Sequence, residues 1–141
     1  MFGVMNNPAA AYSKAGVETQ VDTANPHQLV LMLFDGALSA IASAALHMQA
    51  KKTQLKGESI GKAINIIDGG LKACLDYEAG GELATRLGAL YEYMCLRLLH
   101  ANLHNDEGAL DEVTRLLKEL KSGWQEIAND PAVLSRNKVA A

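Results

Sequence analysis

Asn25-Pro26-His27-Gln28-Leu29-Val30-Leu31-Met32-Leu33-Phe34-Asp35-Gly36-Ala37 is the stretch that decides the fold class. Asn25 is an N-cap residue, Pro26 stands at the first helical position, where a missing N–H is harmless, and Gln28 is placed to return a hydrogen bond to the cap. The apolar residues that follow extend this helix to about Ala50. From Leu29 to Met48 the run is long enough to span a bilayer and holds a single formal charge, Asp35. Asp35, Gly36, Ser39, Ser43 and His47 nevertheless make it a poor hydrocarbon sequence, and no Lys or Arg anchors its start. It reads as the core helix of a soluble bundle, with no membrane insertion.

Outward from this helix the helical period continues, and no segment shows the sustained alternation of a half-buried strand. Lys51 to Gly57 reads as a polar connection, Glu58 to about Asp76 as a second helix, and Gly80-Gly81 as a break. A third helix runs from Glu82 to about Asn105, and Asp106 caps a fourth that ends near Asn129, before Asp130-Pro131. Helices of about 20–25 residues joined by short loops predict an all-α, antiparallel four-helix bundle over residues 26–129. Residues 1–25 form a less regular N-terminal segment whose Tyr12, Val17 and Val21 give it the means to dock as a cap, and residues 130–141 read as a flexible tail. Met1 to Pro8 lacks the basic start and apolar run of a secretory signal.

The 141 residues carry thirteen Lys plus Arg against sixteen Asp plus Glu, a net charge of −3, and no basic run. That balance argues against nucleic-acid binding. Cys74 and Cys95 sit in apolar surroundings and read as small core residues of a protein in a reducing compartment, the cytoplasm.

Helical wheels give the most informative pattern. In the fourth helix Leu110, Val113, Leu116, Leu117, Leu120, Trp124 and Ile127 cover an arc of about 120°, enough for one face of a bundle. The second helix has an expected core stripe of Ile60, Ile64, Ile67, Leu71, Cys74 and Leu75, but Ala63, Ile66, Gly70, Ala73 and Tyr77 widen its apolar arc to about 200°. In the third, Leu83, Leu87, Leu90, Tyr91, Met94, Leu98 and Ala101 form the core stripe, whereas Ala89, Leu96, Leu99 and Leu103 fall nearly opposite. A helix in a square bundle buries one stripe, so the second set needs another occupant: the N-terminal segment, a second subunit or a partner chain. Scattered surface leucines would give the same pattern. A groove for an amphipathic helix or an extended apolar peptide is the functional reading.

Catalytic templates are missing. His100 and His104 have i,i+4 ligand spacing with Glu107 nearby, yet no Glu-x-x-His occurs, and two solvated histidines at a helix end are the ordinary explanation. No phosphate loop or nucleophile elbow is present, and neither cysteine has an activating neighbour. No metal, no cofactor and no enzymatic activity are expected.

The ordered blocks carry a resemblance. Tyr12 with Val17-Glu18-Thr19, the run from Thr23 to Ala37, Lys62-Ala63-Ile64-Asn65-Ile66-Ile67, Leu90-Tyr91-Glu92-Tyr93-Met94, Leu98 to Asp106, and Glu112-Val113 leading to Trp124 together resemble the flagellar secretion chaperone FliS family. The likeness spans about residues 10 to 127. Phe34 stands where many relatives carry Tyr, which keeps the apolar role and removes a hydroxyl. The resemblance implies a helical bundle of the bacterial cytosol that binds the disordered C-terminal region of flagellin, prevents early polymerisation and delivers the subunit to the flagellar type III export apparatus, with the export gate as a further partner. On this view Ala63, Ile66, Gly70, Ala73, Tyr77, Ala89, Leu96, Leu99 and Leu103 form the flagellin-binding surface, and Tyr12 and Val17 are a removable cover. The competing expectation is a structural bundle that uses the same stripes as a homo-oligomer interface.

Overall fold

The computed structural model describes residues 25–128. Tyr12, Val17 and the rest of the N-terminal segment, and the tail from residue 129, lie outside them. The described chain is four helices: α1 (Pro26–Gln49), α2 (Thr53–Ile66), α3 (Tyr77–His104) and α4 (Glu107–Ala128). A π-helical turn (Ile67–Leu71) and a 3-10 turn (Lys72–Cys74) prolong α2. α1 packs against α2 and α4, and α3 packs against the same two. The start of α2 meets the end of α3 through Lys56 and Asn102, and the end of α4 meets the start of α1 through Trp124 and His27. These crossings define an antiparallel, up-down-up-down bundle.

The caps form where residue types favour them. Asn25 accepts from the Gln28 amide at 2.8 Å, and the Gln28 side chain accepts from the Asn25 amide at 3.2 Å, a reciprocal pair that satisfies two orphan donors. Asp106 accepts from the Ala109 amide at 3.2 Å and starts α4. Asn105 closes α3 in the left-handed region, a conformation its short polar side chain tolerates. The core is filled by Leu33, Phe34, Ala37, Ile41 and Ala44 of α1, Ile60, Ile66, Ile67 and Leu71 of α2 and its extension, Tyr91, Met94, Leu98 and Ala101 of α3, and Leu110, Val113 and Leu117 of α4. α1 is the one described helix long and apolar enough to cross a membrane, and in the fold it supplies one wall of this core.

Three expectations are corrected. α2 begins at Thr53, so the stretch read as a polar connection is mostly its first turn. Its cap makes no side-chain bond; the turn is held from outside by Lys56, which is buried and donates from Nζ to the Asn102 carbonyl at 2.9 Å and to Asn105 Oδ1 at 2.7 Å. α3 begins at Tyr77 because Asp76 accepts from the Glu78 and Ala79 amides. The break expected at Gly80-Gly81 is present inside it: Gly81 adopts φ 52° and ψ −127°, a region open to glycine, and the turn before it folds back so that Tyr77 covers Gly88. Third, the cysteines are not core residues. Cys74 is exposed and Cys95 half-buried, although desolvation by their neighbours still pushes both thiols up, Cys95 to about 11.

Candidate functional site: the cleft between α2 and α3

The residues expected to bind a partner divide into two groups. Leu96, Leu99 and Leu103 are 65%, 53% and 78% exposed, spaced i, i+3, i+7 along one face of α3, and Ala89, Ala73 and Tyr77 are exposed as well. Ala63, Ile66 and Gly70 are not. They are sealed inside the bundle, which corrects the expectation that they form a spare edge. The physical reason is that α1 packs closely along α2 and its extension. A side chain at Gly36 of α1 would touch Ile66 at 3.4 Å, and one at Gly70 would meet Leu33 at 3.1 Å, so glycine lets α1 approach closely there. The wide apolar arc of α2 is absorbed by this approach. The helix turns Ala63, Ile66 and Gly70 inward, leaving Ile64 half-buried and Cys74 exposed where core positions were expected. Leu83, also expected in the core, is 65% exposed because it follows the Gly81 break.

That rotation brings a different part of α2 to the cleft. By helical spacing Gly57, Gly61 and Ile64 share the flank toward α3, and Gly57 lies opposite Asn102, 3.9 Å from where its Cβ would be. A methyl at Gly61 would touch nothing within 4 Å among the described residues. Sequence reasoning missed both glycines. Their signal was the Gly57-x-x-x-Gly61 spacing inside a helix, where each glycine costs about 1 kcal/mol relative to alanine and the bundle's own packing gives no return for it at Gly61. The two glycines on this flank of α2 and the exposed leucine row of α3 together define the candidate cleft.

Polar contacts hold its walls in register. At one end Lys56 ties α2 to the last turn of α3, where a cation also complements the helix dipole. At the other, Lys72 Nζ reaches Glu92 Oε1 at 2.7 Å and Asp68 at 3.8 Å, and the Glu92 contact raises the ammonium above its ordinary range. On the far flank of α3, Tyr93 Oη donates to Glu112 Oε2 and Arg97 Nε donates to Glu112 Oε1 at 2.8 Å. Tyr93 and then Arg97 hold the Glu112 carboxyl below the usual range. The Ala109 amide does the same for Asp106, which lies 3.2 Å from His100 Nε2. The His100 and His104 rings lie with centroids 4.5 Å apart and planes tilted by 45°, and among the described residues no three His, Cys, Asp or Glu side chains gather as a metal site. The arrangement offers apolar contact in the cleft and polar fastening outside it.

Over residues 6–131 the sequence matches the family model described as Flagellar protein FliS. It is 52% identical over 118 residues to the flagellar secretion chaperone FliS of Salmonella typhimurium, covering 84% of this chain and 87% of that one. Its identity to the FliS chaperone of Escherichia coli is 48% over 124 residues, 88% of this chain and 91% of the relative. The chaperone of the same name in Bacillus subtilis shares 36% over 122 residues, 86% of each chain. The bundle, its capped α1 and the likeness along nearly its whole length place the chain in the FliS family of flagellar secretion chaperones.

Proposed function

We propose that this protein is an export chaperone of the bacterial cytosol that holds the disordered C-terminal region of flagellin along the α2–α3 cleft, keeps the subunits from polymerising and delivers them to the flagellar type III export apparatus, with the export gate as a further partner. Family membership supports the chaperone role. The observation that carries the cleft is the row Leu96, Leu99 and Leu103, three large side chains left open on a helix whose opposite face is firmly packed. A filament subunit's terminal segments are apolar because they pack against other subunits, and before assembly they need a substitute surface.

Magnitudes favour a broad contact. Covering an exposed leucine is worth about 1.5–3 kcal/mol, so three partly covered ones supply about 3–6 kcal/mol. Ordering a client segment costs about 2–5 kcal/mol, which leaves little surplus unless Ile64, Tyr77, Ala73, Ala89 and the backbone at Gly57 and Gly61 join in. The resulting affinity is moderate and suits a cargo that must be released. Tyr12 and Val17 remain part of the proposal as a cover for the empty cleft.

A homodimer through the same stripe is less well supported. Leu96 to Leu103 rises only about 10 Å along the helix, a small patch beside the roughly 800 Å² per partner of a stable interface. The test is titration of the full chain with a flagellin C-terminal peptide, alongside sedimentation of the free protein. Saturable binding to a monomer supports the reading; a tight dimer that takes no peptide rejects it.

A further inference from the structure

His27 and Trp124 form a second kind of contact, at the end of the bundle where α1 starts and α4 finishes. Their rings stack with centroids 4.7 Å apart and planes 8° from parallel. The indole also holds the backbone, with Trp124 Nε1 donating to the His27 carbonyl at 3.0 Å. His27 is only 5% exposed, and its Nε2 is buried with no hydrogen-bond partner among the described residues. Such a site suits a neutral imidazole. A proton added at Nε2 would place a charge and an unpaired N–H in a dry contact. His27 also lies in the first turn of α1, where the positive end of the helix dipole opposes a cation. Burial accordingly pushes the imidazole below its ordinary range.

Among the described residues no charged neighbour offsets this. One turn before Trp124 on α4, Lys121 is committed to Asp35 of α1 at 2.6 Å. At the same end, Lys72 after α2 is paired with Glu92 and Asp68, Arg86 of α3 with Glu82, and Asp76 caps α3. Burial stands as the sole cause of the His27 shift.

We propose that His27 is a proton-operated latch: neutral, it closes the start of α1 on the end of α4 through Trp124; protonated, it releases that end. The device stands apart from whatever the α2–α3 cleft binds. Its sign follows from the depressed imidazole. The latch contributes fully above the unfolded-state value near pH 6.5, weakens as pH falls below it, and is lost on passing the lower folded-state value. Within that window the open fraction rises about tenfold per pH unit, then levels off.

Trp124 is the only tryptophan in the chain, so its emission reads the latch directly. The full chain is titrated from about pH 8 to about pH 4.5, a range in which histidine is the main side chain to change charge. A step in emission with its midpoint below the ordinary histidine value is expected, and His27→Phe, which keeps a ring against the indole, should remove it while circular dichroism shows an intact fold. Because that variant could fail to fold, the wild-type protein is also followed by NMR, where the His27 ring and the Trp124 indole N–H should shift at one common midpoint. A step that persists in folded His27→Phe, a His27 that titrates at or above its ordinary value, or an indole that moves at a different pH overturns the proposal.

Discussion

Lys56 Nζ lies 2.9 Å from the backbone carbonyl of Asn102, so a buried cation at the start of α2 caps the end of α3. At this end of the cleft its two walls are joined by Lys56, at a point where α2 has no side-chain cap of its own. Lys56→Met keeps most of the stem and removes the charge, leaving a carbonyl and the Asn105 side chain without their donor. The expected loss is about 1–3 kcal/mol, read as a lower urea midpoint. An unchanged midpoint would show that the contact only decorates a helix fixed by its apolar residues.

Leu96 and Leu98 differ by two positions and by nearly everything else. Leu98 is fully buried and Leu96 is 65% exposed. Leu98→Asp should unfold the domain, whereas Leu96→Asp should change stability by less than about 0.5 kcal/mol and weaken flagellin-peptide binding at least about tenfold. Calorimetry of unfolding and of binding separates the two. Equal stability losses would contradict the open face of α3.

Gly61 offers a gain instead of a loss. Its added methyl meets nothing within 4 Å among the described residues, so Gly61→Ala should stabilise the protein by about 0.5–1 kcal/mol in thermal melts. Gly61→Leu should stay folded and bind the peptide more weakly by filling the cleft. Destabilisation by alanine would mean that the flank is covered.

Glu112 makes a prediction about acid. Tyr93 and Arg97 depress its carboxyl, so their support is present above the unfolded-state carboxyl value and is lost as pH falls through the lower folded-state one. Tyr93→Phe should therefore be less stable than wild type at neutral pH, and the gap should close on acidification. A gap of constant size from pH 7 to pH 3 would show that the hydroxyl matters but the charge does not.

Much of this was legible in the sequence for identifiable reasons. Asn25, Pro26 and Gln28 encode the start of α1 locally, and Asp106 does so for α4, so no tertiary knowledge was needed. Leu96, Leu99 and Leu103 could be read because α3 keeps a regular wheel after Gly81. α2 could not be phased in the same way. Its start depends on Lys56 reaching a carbonyl forty-six residues away, and its orientation depends on Gly70 admitting Leu33. Both are tertiary facts that a wheel does not contain. For the same reason a wheel places Ala63 and Ile66 on the surface, where the fold buries them, and gives Gly57 and Gly61 no role.

Hydrogen exchange of the full chain, with and without a flagellin C-terminal peptide, tests the cleft most directly. Protection should appear over residues 57–64 of α2 and 96–103 of α3 and leave the outer face of α4 unchanged. Protection confined to α1 and α4, with those two stretches unaltered by saturating peptide, would contradict it.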